Sequence, residues 1–286
     1  MGRKVIALGA IAAAITAAGC GSSSSKSAGL TLRRAADVTA QATGYRISGY
    51  GTVTVQKGPQ HAVATMSMAG SFDRRDRLGA ITTITHVLGH EVRIRELLQR
   101  FTVYMAAGSL PRGTLVSHGK PWLKLNISSA LPGGGLSSLP TATDPSQFVD
   151  YLRAVSSSTT KLGTTTIRGV RATHYHAVVD LSRYPSMVPP AQRHAVRQTI
   201  KALETATGVH TLPLDVWIDD HHLVRRERFT MTECVAGLHT SVRMTSDMYD
   251  YGPQPKPRIP SASQVYDLTP LASAALRQAK LGCSSS

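Results

Sequence analysis

The sequence predicts an α+β fold in which a strongly curved antiparallel sheet of about 10–12 strands, a half-barrel, carries about three or four helices on its concave face. Three observations lead to this prediction. Apolar and polar residues alternate over most of the chain, which is typical of strands with one buried face. Short turns separate the alternating segments, so neighbouring strands run in opposite directions. Helical patterns occur only at a few places between these segments.

The clearest strands are predicted over residues 45–55 and 62–72. Apolar and small residues occupy the odd positions of the first segment and the even positions of the second. Gly58-Pro59 is suited to the turn between them. Further alternating segments follow at 78–88 and 92–98. Because the segments are joined by hairpins, we expect an antiparallel meander.

Helices are predicted at four places along the chain. Residues 30–43 have helical spacing and are followed by Gly44, a residue suited to ending a helix. The others begin at Pro145, after Pro189-Pro190, and at Thr269, since proline is favoured in the first turn of a helix.

The first 19 residues have the pattern of a secretory signal peptide. Arg3 and Lys4 precede an apolar run that is too short to span a bilayer, which takes about 20 residues. Cys20, after small residues, resembles the lipobox cysteine of bacterial lipoproteins. The resemblance implies cleavage before Cys20 and attachment of a diacylglycerol to its sulfur. The alternative is an ordinary signal peptide whose removal leaves Cys20 as a free thiol.

The mature chain is predicted to be one domain that follows a short N-terminal tether. Residues 20–29 are Ser-rich and are expected to form a flexible tether, and residues 30–286 contain no linker between two cores. The formal charge is +15, which in other settings suggests nucleic acid. Export argues against that partner and makes lipid headgroups the abundant anions. The alternative is that the arginines lie on solvated outer faces of strands.

The sequence contains no recognisable catalytic motif. It lacks the Gly-x-Ser-x-Gly, Walker A, HExxH and CxxC patterns, so we predict that the protein is not an enzyme and needs no cofactor. His174 and His176 share a strand face at a spacing that could ligate a metal, as could the run Asp219-Asp220-His221-His222. Polar residues also belong in a hairpin turn, and we predict no metal site.

Several short motifs occur in a characteristic order. They are Val103-Tyr104-Met105, Gly119-Lys120-Pro121-Trp122-Leu123-Lys124, Ile167-Arg168-Gly169-Val170, Leu212-Pro213-Leu214-Asp215-Val216-Trp217-Ile218-Asp219, Asp250-Tyr251-Gly252 and Val265-Tyr266-Asp267-Leu268-Thr269. With the lipobox, this order resembles the actinobacterial lipoproteins of the LppX and LprG type, which share the LolA-like half-barrel. The resemblance implies an unclosed sheet around a hydrophobic cavity that is roofed by helices. It also implies binding of acylated lipids and no reaction.

The inward positions of the strands are the candidate lining of such a cavity. On the first two strands they hold small residues and Met, which leave volume and adapt to flexible chains. A core filled against the helices is the alternative. The candidate residues are Ile47, Val53, Val55, Ala64, Met66, Met68, Phe101, Val103, Met105, Leu123, Leu125, Val242 and Met244.

These features together predict a monomeric lipoprotein at the outer face of the cytoplasmic membrane. It would bind acylated lipid or glycolipid, carry or present it in the envelope, and hand it to an envelope transporter. The alternative is a non-enzymatic sensor or adaptor of the same fold that binds another envelope protein.

Cys234 and Cys283 are predicted to form a disulfide. With Cys20 lipidated, they are an even pair in an oxidising compartment. Closing a loop of about 50 residues would stabilise the fold by roughly 4 kcal/mol through the entropy of the unfolded chain. Two unpaired thiols are the alternative.

The disulfide can be tested by labelling free thiols. In the denatured but unreduced mature protein, we expect neither Cys234 nor Cys283 to be labelled, and both to be labelled after reduction. Labelling of both without reductant would contradict the bridge.

Overall fold

The computed structural model describes residues 21–109, 117–126, 149, 151–188, 190–207, 209–235 and 238–278. Within them, the helices are α1 (Gly21–Gln41), α2 (Tyr184–Met187), α3 (Arg193–Thr207) and α4 (Thr269–Gln278). The strands are β1 (Gly44–Lys57), β2 (Gln60–Asp73), β3 (Leu78–Val87), β4 (His90–Gln99), β5 (Thr102–Ala106), β6 (Trp122–Asn126), β7 (Val155–Ile167), β8 (Val170–Asp180), β9 (Thr211–Asp219), β10 (Val224–Val235), β11 (Leu238–Tyr249) and β12 (Val265–Asp267).

All of these strands belong to one curved sheet that does not close on itself. Their order is β12-β6-β5-β4-β3-β2-β1-β11-β10-β9-β8-β7. Neighbouring strands pair antiparallel, except that β12 lies parallel to β6. The predicted class, an α+β half-barrel with a largely antiparallel sheet, is confirmed.

Two tight hairpins lie at the same end of the sheet, which we call the hairpin end. Lys57 pairs with Gln60 across the predicted Gly58-Pro59 loop, and Val87 pairs with His90 across Leu88-Gly89. Because Val87 pairs with Ala64, the β1–β2 hairpin extends four residues beyond the end of β3. Two-residue loops of this kind fit the twist of antiparallel strands.

Aromatic packing closes the opposite end of the inner face, which we call the closed end. The Tyr45 ring centroid lies 6.0 Å from that of Phe72 and 6.2 Å from that of Tyr251. Tyr45 and the neighbouring Ile47 are completely buried, and Met248 on β11 is nearly so. These contacts join β1, β2 and β11 to the main core.

Helix α1 lies over the inner face of the β7–β10 half of the sheet. Leu32, Ala35 and Ala36 are fully buried in the main core. Near the end of the helix, the Thr39 hydroxyl accepts a hydrogen bond of 3.0 Å from the backbone N–H of Val224. The helix thereby fixes the curved half of the sheet that it covers.

Helix α1 begins at Gly21 rather than at the predicted residue 30. The Ser-rich segment that was expected to be a flexible tether is therefore helical. Ala28 is buried in the core, so the apolar stripe of the helix extends N-terminal of the predicted start. Tertiary packing here outweighs the modest helix propensity of serine.

Two further segments are described differently from the prediction or lie mostly outside the described residues. Strand β7 spans Val155–Ile167, a segment for which no strand was predicted above. Most of the helix predicted from Pro145 lies outside the described residues, apart from a short 3₁₀ turn at Leu152–Ala154. Among the helices that the structure describes, none has the length and apolar character that crossing a bilayer requires.

The close approach of β2 and β3 can be tested by substituting Gly70. A Cβ at this position would lie 2.1 Å from the carbonyl oxygen of Ala80. We expect Gly70→Ala to lower the free energy of unfolding by about 1–3 kcal/mol, measured by urea denaturation. Gly108→Ala is the matched control, because a Cβ at that position would have no other atom within 4 Å. Equal stabilities of the two variants would contradict the close approach.

Candidate functional site: the inner face of the sheet

The strand register places the predicted cavity residues in shared rows on one side of the sheet. Val53 is opposite both Ala64 and Val242. Met105 is opposite Leu123. These residues lie on the same side of the sheet as the buried Ile47 and Met248, and we call this side the inner face. All of the predicted residues lie in strands of this face except Phe101, which is half-buried in the turn before β5.

Burial divides these residues into two groups. Ile47, Val103 and Leu123 are buried and belong to the packed interior. The remaining candidates are half-buried; they are Val53, Val55, Ala64, Met66, Met68, Phe101, Met105, Leu125, Val242 and Met244. Along β1, burial falls from Tyr45 toward Val55. The inner face is thus packed at the closed end and partly accessible toward the hairpin end.

Glycines and methionines face each other in the middle of the inner face. A Cβ on Gly49 would lie 3.2 Å from Cγ of Met68, and one on Gly51 would lie 3.1 Å from Sδ of Met244. Each methionine side chain therefore fills space that is open only because the neighbouring residue is glycine. Because methionine has flexible torsions and a polarizable sulfur, this region can change shape without moving the backbone.

Glu96 is an acidic residue on this apolar face and is not among the residues predicted from the sequence. It lies opposite Met105 and Ile81, and its carboxylate accepts a hydrogen bond of 3.2 Å from the Thr83 hydroxyl. Burial raises the pKa of Glu96, and the Thr83 hydrogen bond only partly opposes this effect. The sequence does indicate this placement, since Glu96 follows Val92 and Ile94 at alternate positions of one strand and therefore shares their face.

The opposite side of the sheet, the outer face, holds a polar cluster around Asp215. His174 Nε2 and His176 Nδ1 lie 3.0 and 3.1 Å from Asp215 Oδ1, and Arg228 binds Oδ2 at 2.8 Å. Burial alone would raise the pKa of Asp215, but the hydrogen bonds from Arg228 and the two imidazoles together hold it below its ordinary value. The His174 ring also stacks on Trp217, with centroids 4.0 Å apart.

These contacts place both histidines on the outer face, where each binds the Asp215 carboxylate. In the part of the chain that the structure describes, no group of three or more His, Cys, Asp or Glu side chains is placed to hold a metal ion. The run that includes Asp219 forms a turn whose backbone N–H groups at His221 and Leu223 donate to that carboxylate, each at 2.9 Å. Asp219 therefore stabilises the β9–β10 turn.

The predicted covalent sites lie partly outside the described residues. Cys20 and Cys283 lie outside the described residues, whereas the backbone of Cys234 pairs with His239 in the β10–β11 hairpin. The lipid anchor and the disulfide stay predictions.

Glu96 makes the stability depend on pH in a defined direction. Since its pKa is raised in the folded state, its contribution is most favourable below the ordinary glutamate pKa of about 4.3 and is lost as the pH rises through the folded pKa. We expect Glu96→Gln to reduce the loss of stability over this range, measured as melting temperature against pH. The exposed Glu91 supplies the control, and an equal effect of Glu91→Gln would contradict the assignment.

Comparison with known proteins completes the description of the fold. No protein-family model and no curated protein sequence matches the chain. The chain is similar to the lipoprotein LppX of Mycobacterium tuberculosis, with a TM-score of 0.47 and 13% identity over 81% of this chain and 99% of LppX. It is similar to LprF of Mycobacterium bovis, with a TM-score of 0.43 and 15% identity over 82% of this chain and 97% of LprF. LppX is one of the lipoproteins whose type the order of the motifs resembles.

Proposed function

We propose that this protein is a lipoprotein that is anchored through Cys20 at the outer face of the cytoplasmic membrane. Its domain binds acylated lipid or glycolipid on the inner face and carries or presents that lipid within the envelope. The protein acts as a monomer without catalysis and delivers its ligand to an envelope transporter.

The observation that carries this proposal is the half-buried apolar row toward the hairpin end. It crosses β3, β2, β1, β11 and β10 without a break, through Val87, Ala64, Val53, Val242 and Met231. An acyl chain is recognised by apolar contact rather than by directed polar groups. Each methylene removed from water contributes about 0.8 kcal/mol, so an apolar surface of this kind can bind a long chain.

The two ends of the sheet give the ligand a direction. The closed end is filled by Tyr45 and Phe72, which are buried. A chain therefore enters from the hairpin end, with its polar group left toward that end. Glu96 lies nearer the closed end, and its raised pKa favours the neutral carboxyl that an apolar ligand tolerates.

The methionines account for tolerance of different acyl chains. Met66, Met68 and Met244 lie around the glycines of β1. Their side chains can repack around a bound chain, so the site does not demand one ligand length. This adaptability suits a carrier that loads and releases its cargo.

Native mass spectrometry of non-acylated protein from its host provides the direct test. We expect copurified diacyl or triacyl lipid. Protein that carries no lipid and takes up none from detergent-solubilised membranes would rule out the carrier and favour the adaptor that binds another protein.

Two phenylalanine substitutions on β2 distinguish the inner face from the rest of the sheet. Ala64 is half-buried on the inner face, whereas Ala69 is exposed on the outer face. We expect Ala64→Phe to weaken binding of a fluorescent long-chain fatty acid by roughly tenfold or more, as for about 1–3 kcal/mol of overpacking, and Ala69→Phe to leave it unchanged. Equal affinities of the two variants would contradict binding on the inner face.

A further inference from the structure

The β3–β4 hairpin presents an apolar side chain at its tip. Leu88 is 79% exposed and sits at the first position of the two-residue loop, followed by Gly89. Val87 and Val92 just below the tip are half-buried. The tip therefore continues the apolar character of the inner face to the edge of the molecule.

The backbone at Leu88 makes this choice of residue unusual. Its φ is +50°, and that of Gly89 is +79°, so both residues adopt the left-handed conformation of a tight hairpin loop. Asn, Asp and Gly are the residues that favour this position. A leucine is disfavoured in this conformation, and its side chain is exposed, so burial does not explain its presence.

Basic side chains flank the exposed leucine. The neighbouring hairpin tip carries Lys57 and His61, and β4 carries Arg93, all of them exposed. The only acidic residue between 54 and 64 or between 85 and 94 is Glu91. Glu91 lies 3.4 Å from Arg93 and 3.9 Å from His86. An apolar tip within a basic rim is complementary to an anionic bilayer, where each basic residue adds attraction.

Helix α1 places the start of the domain at the same end. Gly29 lies beside Thr159 in the middle of β7–β8, and Thr39 contacts Val224 at the closed end. The helix thus runs from the hairpin end toward the closed end, and Gly21 is its residue nearest the hairpin end. A membrane anchor attached just before Gly21 would pull the hairpin end toward the bilayer.

We propose that the tips at 57–61 and 86–93, the hairpin rim, form a second membrane contact of this protein. Leu88 enters the interfacial region of an anionic bilayer, and Lys57 and Arg93 lie against its headgroups. The contact orients the open end of the inner face toward the membrane surface. It does not depend on whether the inner face binds lipid.

Tryptophan placed at the tip reports insertion directly. The full chain with Cys20→Ser and Leu88→Trp is mixed with phosphatidylglycerol–phosphatidylcholine vesicles that contain brominated acyl chains. We expect the emission to shift to the blue and to be quenched. The matched variant is Leu162→Trp, since Leu162 is 55% exposed on the edge strand β7. Trp122, Trp217 and the N-terminal segment are common to both proteins, so the difference reports position 88 alone.

Leu88→Asn separates membrane binding from folding. Asparagine suits the left-handed loop, so we expect an unchanged or higher melting temperature together with a several-fold lower bound fraction on phosphatidylglycerol vesicles. Leu162→Asn should bind as the parent does. Unquenched emission from the Leu88→Trp protein, or equal binding of the two Asn variants, would overturn the proposal and leave the hairpin rim to a protein partner.

Discussion

The close approach of strands across the inner-face glycines is the constraint on which the rest of the structure depends. A side chain at Gly70 would overlap the backbone of Ala80, and one at Gly79 would lie 2.5 Å from the Phe72 ring. On the concave side of a curved sheet, side chains crowd together, so small residues permit the curvature. Without these glycines, β1, β2 and β3 would have to separate, and the half-barrel would flatten.

The same glycines produce the uneven filling of the inner face. Near the closed end, the large side chains of Tyr45 and Phe72 fill the concavity. Toward the hairpin end, the side chains of Met68 and Met244 lie beside Gly49 and Gly51, together with the backbone oxygens of Thr245 and Arg243. The fold therefore combines a rigid base, which stabilises the domain, with an adaptable region that an apolar ligand can share. The residues that stabilise the fold lie at the closed end of the strands. The residues available to an apolar ligand lie farther along the same strands, toward the hairpin end.

Alternation was sufficient to predict the hairpins of β1–β4, the antiparallel sheet and the side on which the cavity candidates lie, because a buried face imposes a period of two. It was not sufficient for features set by distant contacts. The early start of α1 depends on Ala28 packing into the core, and the parallel pairing of β12 depends on a return of the chain to β6. Glu96 was not among the predicted residues because an acidic side chain is not expected on an apolar strand face.

Ion pairs on the outer face balance part of the high positive charge of the chain. Arg226 binds both oxygens of Asp247, at 2.6 and 3.0 Å, and Arg228 binds Asp215. These arginines therefore link strands, and their charge is largely balanced by carboxylates. At the hairpin rim, Glu91 pairs with Arg93, and the sequence of the two tips holds no further acid to balance Lys57. Because attraction to a bilayer acts only within about a Debye length of its surface, the placement of charge beside Leu88 matters more for membrane contact than the total.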